Sequence, residues 1–132
     1  MRLALTTGLA LFLFASVAAA QSPRPAPGAP RQMTTLDFHV DGSQLTGKRV
    51  TLMDCQFFGT NGSWVSCSSR ENGSIFVMVE AKSLDREDYR RALRQCAGMR
   101  DTDIRCQGTV TGTVFQFIGA NLRNAKIDWA AP

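Results

Sequence analysis

Between Ile104 and Val114 the even positions Ile104, Cys106, Val110 and Val114 are apolar, with Gly108 and Gly112 interleaved. The odd positions Arg105, Gln107, Thr109, Thr111 and Thr113 are polar. Alternation of this period predicts a strand with one buried face, and the two glycines allow sharp curvature. After a loop around Phe115, Phe117, Ile118 and Gly119, a second strand keeps Ala125, Ile127 and Trp129 on one face. Leu122 has the opposite phase, which a bulge near Arg123 and Asn124 reconciles.

Upstream, Val50 to Phe58 reads as a long strand, with Thr60, Asn61 and Gly62 as a three-residue hairpin tip in which Gly62 takes the left-handed conformation. That tip sets Gly59 opposite Ser63, Phe57 opposite Val65 and Cys55 opposite Cys67 on one side, with Phe58 opposite Trp64 and Gln56 opposite Ser66 on the other. Asn72-Gly73 makes the next turn. Ile75 to Glu80 is nearly unbroken in its apolar run, which predicts a central strand covered on both faces.

Asp85 is a helix N-cap followed by Glu87 and Asp88, and the pattern predicts a helix within Leu84 to Ala97, ending near Gly98. Leu84 packs on Tyr89 as a hydrophobic staple. Tyr89, Ala92, Leu93 and Cys96 form its buried face, and Glu87 can pair with Arg91. Nearer the start, Leu36, Phe38 and Val40 alternate with Asp37 and His39, which predicts a short extended segment ending at an Asp41-Gly42 turn, with His39 on the surface.

Arg2, the apolar run Leu3 to Val17 and the small residues Ala18 to Ala20 form the pattern of a secretory signal peptide, residues 1–20, cleaved before Gln21. The expected location is periplasmic or secreted. Residues 21–34 hold Pro23, Pro25, Pro27, Gly28 and Pro30, the composition of a flexible tether. Residues 35–132 are enough for one core and not for two. The formal charge of the whole chain is +4, and without Arg2 it is +3, too weak to name a partner.

Four cysteines in an exported chain of this length predict two disulfides. The hairpin register pairs Cys55 with Cys67. The inward end of the helix and the core phase of the next strand pair Cys96 with Cys106. A zinc site is disfavoured by the absence of a close C-x-x-C pair and by a lone histidine, and no metal or other cofactor is expected.

Three strands, one helix and two strands is the order of an OB-fold, so the expected fold class is mainly β: a small five-stranded OB-like Greek-key barrel with one helix between strands 3 and 4. The segments Cys106-Gln107-Gly108-Thr109-Val110 and Leu122-Arg123-Asn124-Ala125-Lys126-Ile127 resemble the last two strands of bacterial OB-fold families of the tRNA-anticodon-binding-like type. Leu45, Gly47, Lys48 and Val50 resemble the approach to their first strand. The resemblance implies a binding module whose ligand face lies between the first hairpin loop and the loop joining strands four and five.

No nucleophile with a base, no carboxylate pair at a pocket and no phosphate-binding glycine loop stands out. Asp101 and Asp103 flank a turn, and Ser66, Ser68 and Ser69 fit polar strand positions. The chain therefore reads as a noncatalytic exported module for a protein, a glycan or another envelope component, with Phe58, Trp64, Phe115 and Phe117 as its aromatic contacts. The alternative occupant is single-stranded nucleic acid, stacked on the same rings with Lys48, Arg49, Arg70 and Arg123 on phosphates.

Overall fold

Six strands and two helices follow one another in the computed structural model, which describes residues 28–98 and 102–132: β1 (Arg31–Met33), α1 (Thr35–Asp41), β2 (Arg49–Phe58), β3 (Trp64–Ser69), β4 (Phe76–Glu80), α2 (Arg86–Gln95), β5 (Gln107–Gln116) and β6 (Ala120–Trp129). The expected signal peptide and the first half of the expected tether, residues 21–27, lie outside the described residues, as does Asp101.

The strands lie in the order β1-β2-β3-β4-β6-β5, and β5 closes back onto β2. Around the ring, β4 meets β6 in parallel at Val79 and Leu122, while the other barrel pairs are antiparallel. This is the OB-like order expected, with α2 between the third and fourth barrel strands. Val50, Leu52, Phe57, Val65, Val79, Val110, Val114 and Leu122 fill the interior and are almost fully buried.

The period-two pattern of β5 survives in three dimensions, since Gly108, Val110, Gly112 and Val114 are buried and the threonines between them are half-buried. Both glycines are close approaches. A Cβ on Gly108 would stand 2.4 Å from the Asp128 carbonyl oxygen, and one on Gly112 would stand 3.1 Å from the Arg123 carbonyl. The predicted bulge in β6 is present: register slips opposite Thr111 and Thr113, and Asn124 takes φ 49°. That slip lets Leu122, Ala125 and Ile127 all face the core.

β5 begins later than its alternation suggests. Asp103 caps a 3-10 turn over Ile104–Cys106, which leaves Ile104 exposed and carries Cys106 inward. Cys96 and Cys106 are bonded, with Cα atoms 5.7 Å apart, and so are Cys55 and Cys67, at 5.1 Å.

The register that led to the first pair is two residues off. Cys55 lies opposite Ser69, Phe57 opposite Cys67 and Phe58 opposite Ser66. A shift of two keeps every side chain on its face, so Cys55 still reaches Cys67 diagonally. The loop sets the shift: Asn61 Oδ1 accepts the N–H groups of Ser63 and Trp64, and the Gly59 N–H donates to the Gly98 carbonyl. Gly59, with φ 58°, supplies the left-handed residue that Gly62 was expected to supply.

α1 replaces the expected extended segment. Thr34 Oγ1 accepts the Asp37 N–H, and Asp54 Oδ1 accepts both the N–H and the hydroxyl of Thr35. Two first-turn donors are thereby satisfied, one of them by a side chain on β2, a gain that five alternating residues cannot outweigh. Phe38 is then buried at the end of the barrel, beside Gly42 and Ala120. The expected tether also contributes structure, because Arg31–Met33 pairs in parallel with Val50–Leu52 and Met33 is buried.

Three smaller expectations need correction. β4 alternates and is not covered on both faces, because a barrel has one interior: Val77 and Val79 are buried while Phe76 is 47% exposed. Leu93 is 39% exposed, so only Ala92 and Cys96 of the proposed α2 face are fully buried, with Tyr89 half-buried. Glu87 pairs with Arg90, since Arg91 instead lies over the Trp129 ring at 4.3 Å.

Candidate binding face

Side chains from the start of β3, the end of β5 and the β5–β6 loop bring most of the aromatic candidates together. Trp64 opens β3 with its side chain outward, because Val65 and Cys67 take the inward positions of the alternation. Its ring stacks on Phe115 at 6.3 Å and on Phe117 at 5.4 Å between centroids, with interplanar angles of 10° and 24°. Arg123, from β6, lies over Phe115 at 5.2 Å. Four candidate residues thus form one continuous cluster from three strands and a loop.

Phe58 belongs to a neighbouring part of the same surface. It meets Phe76 edge-on at 5.9 Å, and it is not the cross-strand partner of Trp64, as the two-residue register shift requires. Phe58, Trp64 and Phe115 are half-buried, and Phe117 is 47% exposed.

The cations divide. Arg49 adjoins the cluster, donating to Thr113 Oγ1 and to the Asn124 carbonyl. Lys48 is exposed next to it, its backbone paired with Val114. Arg70 stands apart, held by Gln107 Oε1 and the Met53 carbonyl beside a cleft of about 260 Å³ lined by Gln56, Ser68 and Ser69.

Asn121 was not among the sequence candidates, yet it holds the loop in place. Buried at the start of β6, its Nδ2 donates to the carbonyls of Phe117 and Gly119, and its Oδ1 accepts the Met78 N–H. A polar residue beside core-facing Leu122 was the one signal that could have found it. The loop it braces holds Ile118 at φ 47° and 91% exposed.

The other polar candidates have structural partners. Ser68 donates to the Gln56 carbonyl, and Ser69 Oγ donates to Asp54 and accepts the N–H groups of Glu71 and Asn72. Arg105 donates to the Asp103 carboxylate from side chain and backbone, and this holds the Asp103 pKa below its ordinary value. His39 is exposed in the last turn of α1. Among the described residues no three His, Cys, Asp or Glu side chains are grouped as metal ligands, and no helix is long and apolar enough to cross a membrane.

No family model, no curated protein and no solved structure matches the chain.

Proposed function

We propose that the chain is a noncatalytic exported binding module that takes a protein, glycan or other envelope component on the surface formed by Trp64, Phe115 and Phe117. The observation that carries this reading is the stack of those three rings, left partly open to solvent and flanked by Arg123. Stacked rings with one open face suit ligands with flat apolar surfaces, such as the C–H faces of sugar rings or the aromatic side chains of a partner. Two disulfides fit an oxidising compartment. Immobilised protein and its Trp64→Ala variant, exposed in parallel to envelope extract, test the reading. Components retained by the former and lost by the latter support it, whereas identical retention rejects it.

Single-stranded nucleic acid is the second reading, favoured by Arg123 over the Phe115 ring and Arg49 bonded to Thr113. Phosphate contacts would make that binding fall steeply with salt, and stacking would make it depend on Trp64. A titration with single-stranded oligonucleotides at several salt concentrations separates the two.

A further inference from the structure

Two stretches of the chain read Asn-Gly-Ser, at residues 61–63 and 72–74, and they form the loops on either side of β3. Asparagine is a labile residue, and it is most so before glycine, which has no Cβ to keep its backbone nitrogen away from the preceding side-chain amide. In sequence the two sites are equivalent. The fold makes them unequal.

Asn61 is exposed, and its Oδ1 accepts two main-chain N–H groups, from Ser63 at 2.8 Å and from Trp64 at 2.9 Å. Asn72 is exposed as well, but its Oδ1 accepts only the Ser74 N–H, at 3.1 Å. In both loops the amide is thereby folded back over the glycine that follows it. The paired donors at Asn61 have in addition the arrangement of an oxyanion hole, two N–H groups aimed at an oxygen that gains negative charge when its carbon is attacked. Gly62 completes the site. It is exposed, whereas Gly73 is half-buried in the wall of the cleft beside Arg70. A carbon added to Gly62 would meet nothing within 4 Å, so the loop has room for a ring to close. Neither the Gly62 N–H nor the Asn61 Nδ2 donates to another described group, which leaves both the attacking and the departing nitrogen unencumbered.

We propose that Asn61 is a site of spontaneous deamidation, converted faster than its twin Asn72 because the fold activates its side-chain carbonyl. Hydroxide removes the Gly62 N–H proton, and the nitrogen attacks Cγ of Asn61 while the N–H groups of Ser63 and Trp64 hold the charge that develops on Oδ1. The Cγ–Nδ2 bond then breaks, ammonia leaves with a proton taken from water, and a cyclic imide remains. Water opens that ring at one of its two carbonyls. Opening at the side-chain carbonyl leaves aspartate, and opening at the main-chain carbonyl leaves isoaspartate, with one extra methylene in the main chain. Either product places a carboxylate in the loop that leads into Trp64. The inference goes beyond the ligand reading above and does not rest on it.

Ageing the folded protein at mildly alkaline pH, with peptide mapping by mass spectrometry at intervals, tests the proposal. Asn61 should convert about threefold or more faster than Asn72, and its rate should rise with pH. In denaturant, with both disulfides intact, the two rates should converge, because the N–H groups of Ser63 and Trp64 are then no longer held on Oδ1. Gly62→Ala should slow conversion at Asn61 severalfold, leave Asn72 unchanged and leave the denaturant midpoint in place, since the added methyl obstructs the attacking nitrogen and touches nothing else. Equal rates in the folded protein, faster conversion at Asn72, or a difference that persists in denaturant would overturn the proposal.

Discussion

Asn121 accepts the main-chain N–H of Met78 through Oδ1 at 3.0 Å, joining β6 to β4 where the two strands share only the Val79 and Leu122 register pair. The same amide donates to the Phe117 and Gly119 carbonyls, so barrel closure and loop shape depend on one side chain. Asn121→Ala should cost about 1–3 kcal/mol, because it leaves the half-buried Met78 N–H and the Phe117 carbonyl without their partner, while the Gly119 carbonyl keeps the Phe117 N–H. Amide exchange at Met78 should accelerate beyond that of its neighbours, and an unchanged rate would reject the role.

Gly108→Ala should destabilise the barrel by several kcal/mol, since the new methyl would meet the Asp128 carbonyl at 2.4 Å, a backbone atom that cannot step aside. Gly62→Ala is the control, with nothing within 4 Å of the added carbon. Denaturant midpoints of the two variants should differ widely.

Leu93→Asp should change stability by no more than about 0.5 kcal/mol, as the side chain is already well exposed, whereas Ala92→Asp should cost several. Equal melting temperatures for the two variants would show that α2 docks through another face.

How much of this was legible follows from which interactions are local. The alternation of β5, the slip in β6 and the N-cap of α2 are each written within a dozen residues, and each appears where the pattern puts it except that β5 starts at Gln107, three residues after Ile104. α1 was not legible because its decisive partner, Asp54, lies 19 residues away on β2. The β2–β3 register depends likewise on Gly98 reaching Gly59. At the candidate face, the rings were evident as aromatic residues near loops, but their grouping was not. Which ring touches which is set by the two-residue shift and by β4 running beside β6.

Replacing Cys96 and Cys106 together by serine should cost on the order of 3 kcal/mol in the chain-entropy view of a short closed loop. Peptide mapping without reductant should recover two linked pairs, Cys55 with Cys67 and Cys96 with Cys106. A peptide joining Cys55 to either later cysteine would contradict the barrel.

Asp103 should titrate below its ordinary 3.8, because Arg105 favours its charged form. A folded-state pKa lower than the unfolded one means that the contact stabilises the fold fully above the ordinary carboxylate range, and that this contribution fades as pH falls through the lowered value. Following the Asp103 carboxyl carbon by NMR should show its midpoint rise when Arg105 is replaced by Gln.

β1 has a consequence for behaviour in concentrated solution. It covers the first half of β2 on the edge that β3 occupies further along, where Val50, Thr51 and Leu52 would otherwise offer unpaired backbone groups to another molecule. Without Arg31–Met33 the barrel could still close through β5, but it would carry an open strand edge, the usual starting point for edge-to-edge aggregation. A segment with the composition of a linker thus serves as the guard strand that keeps neighbouring molecules apart.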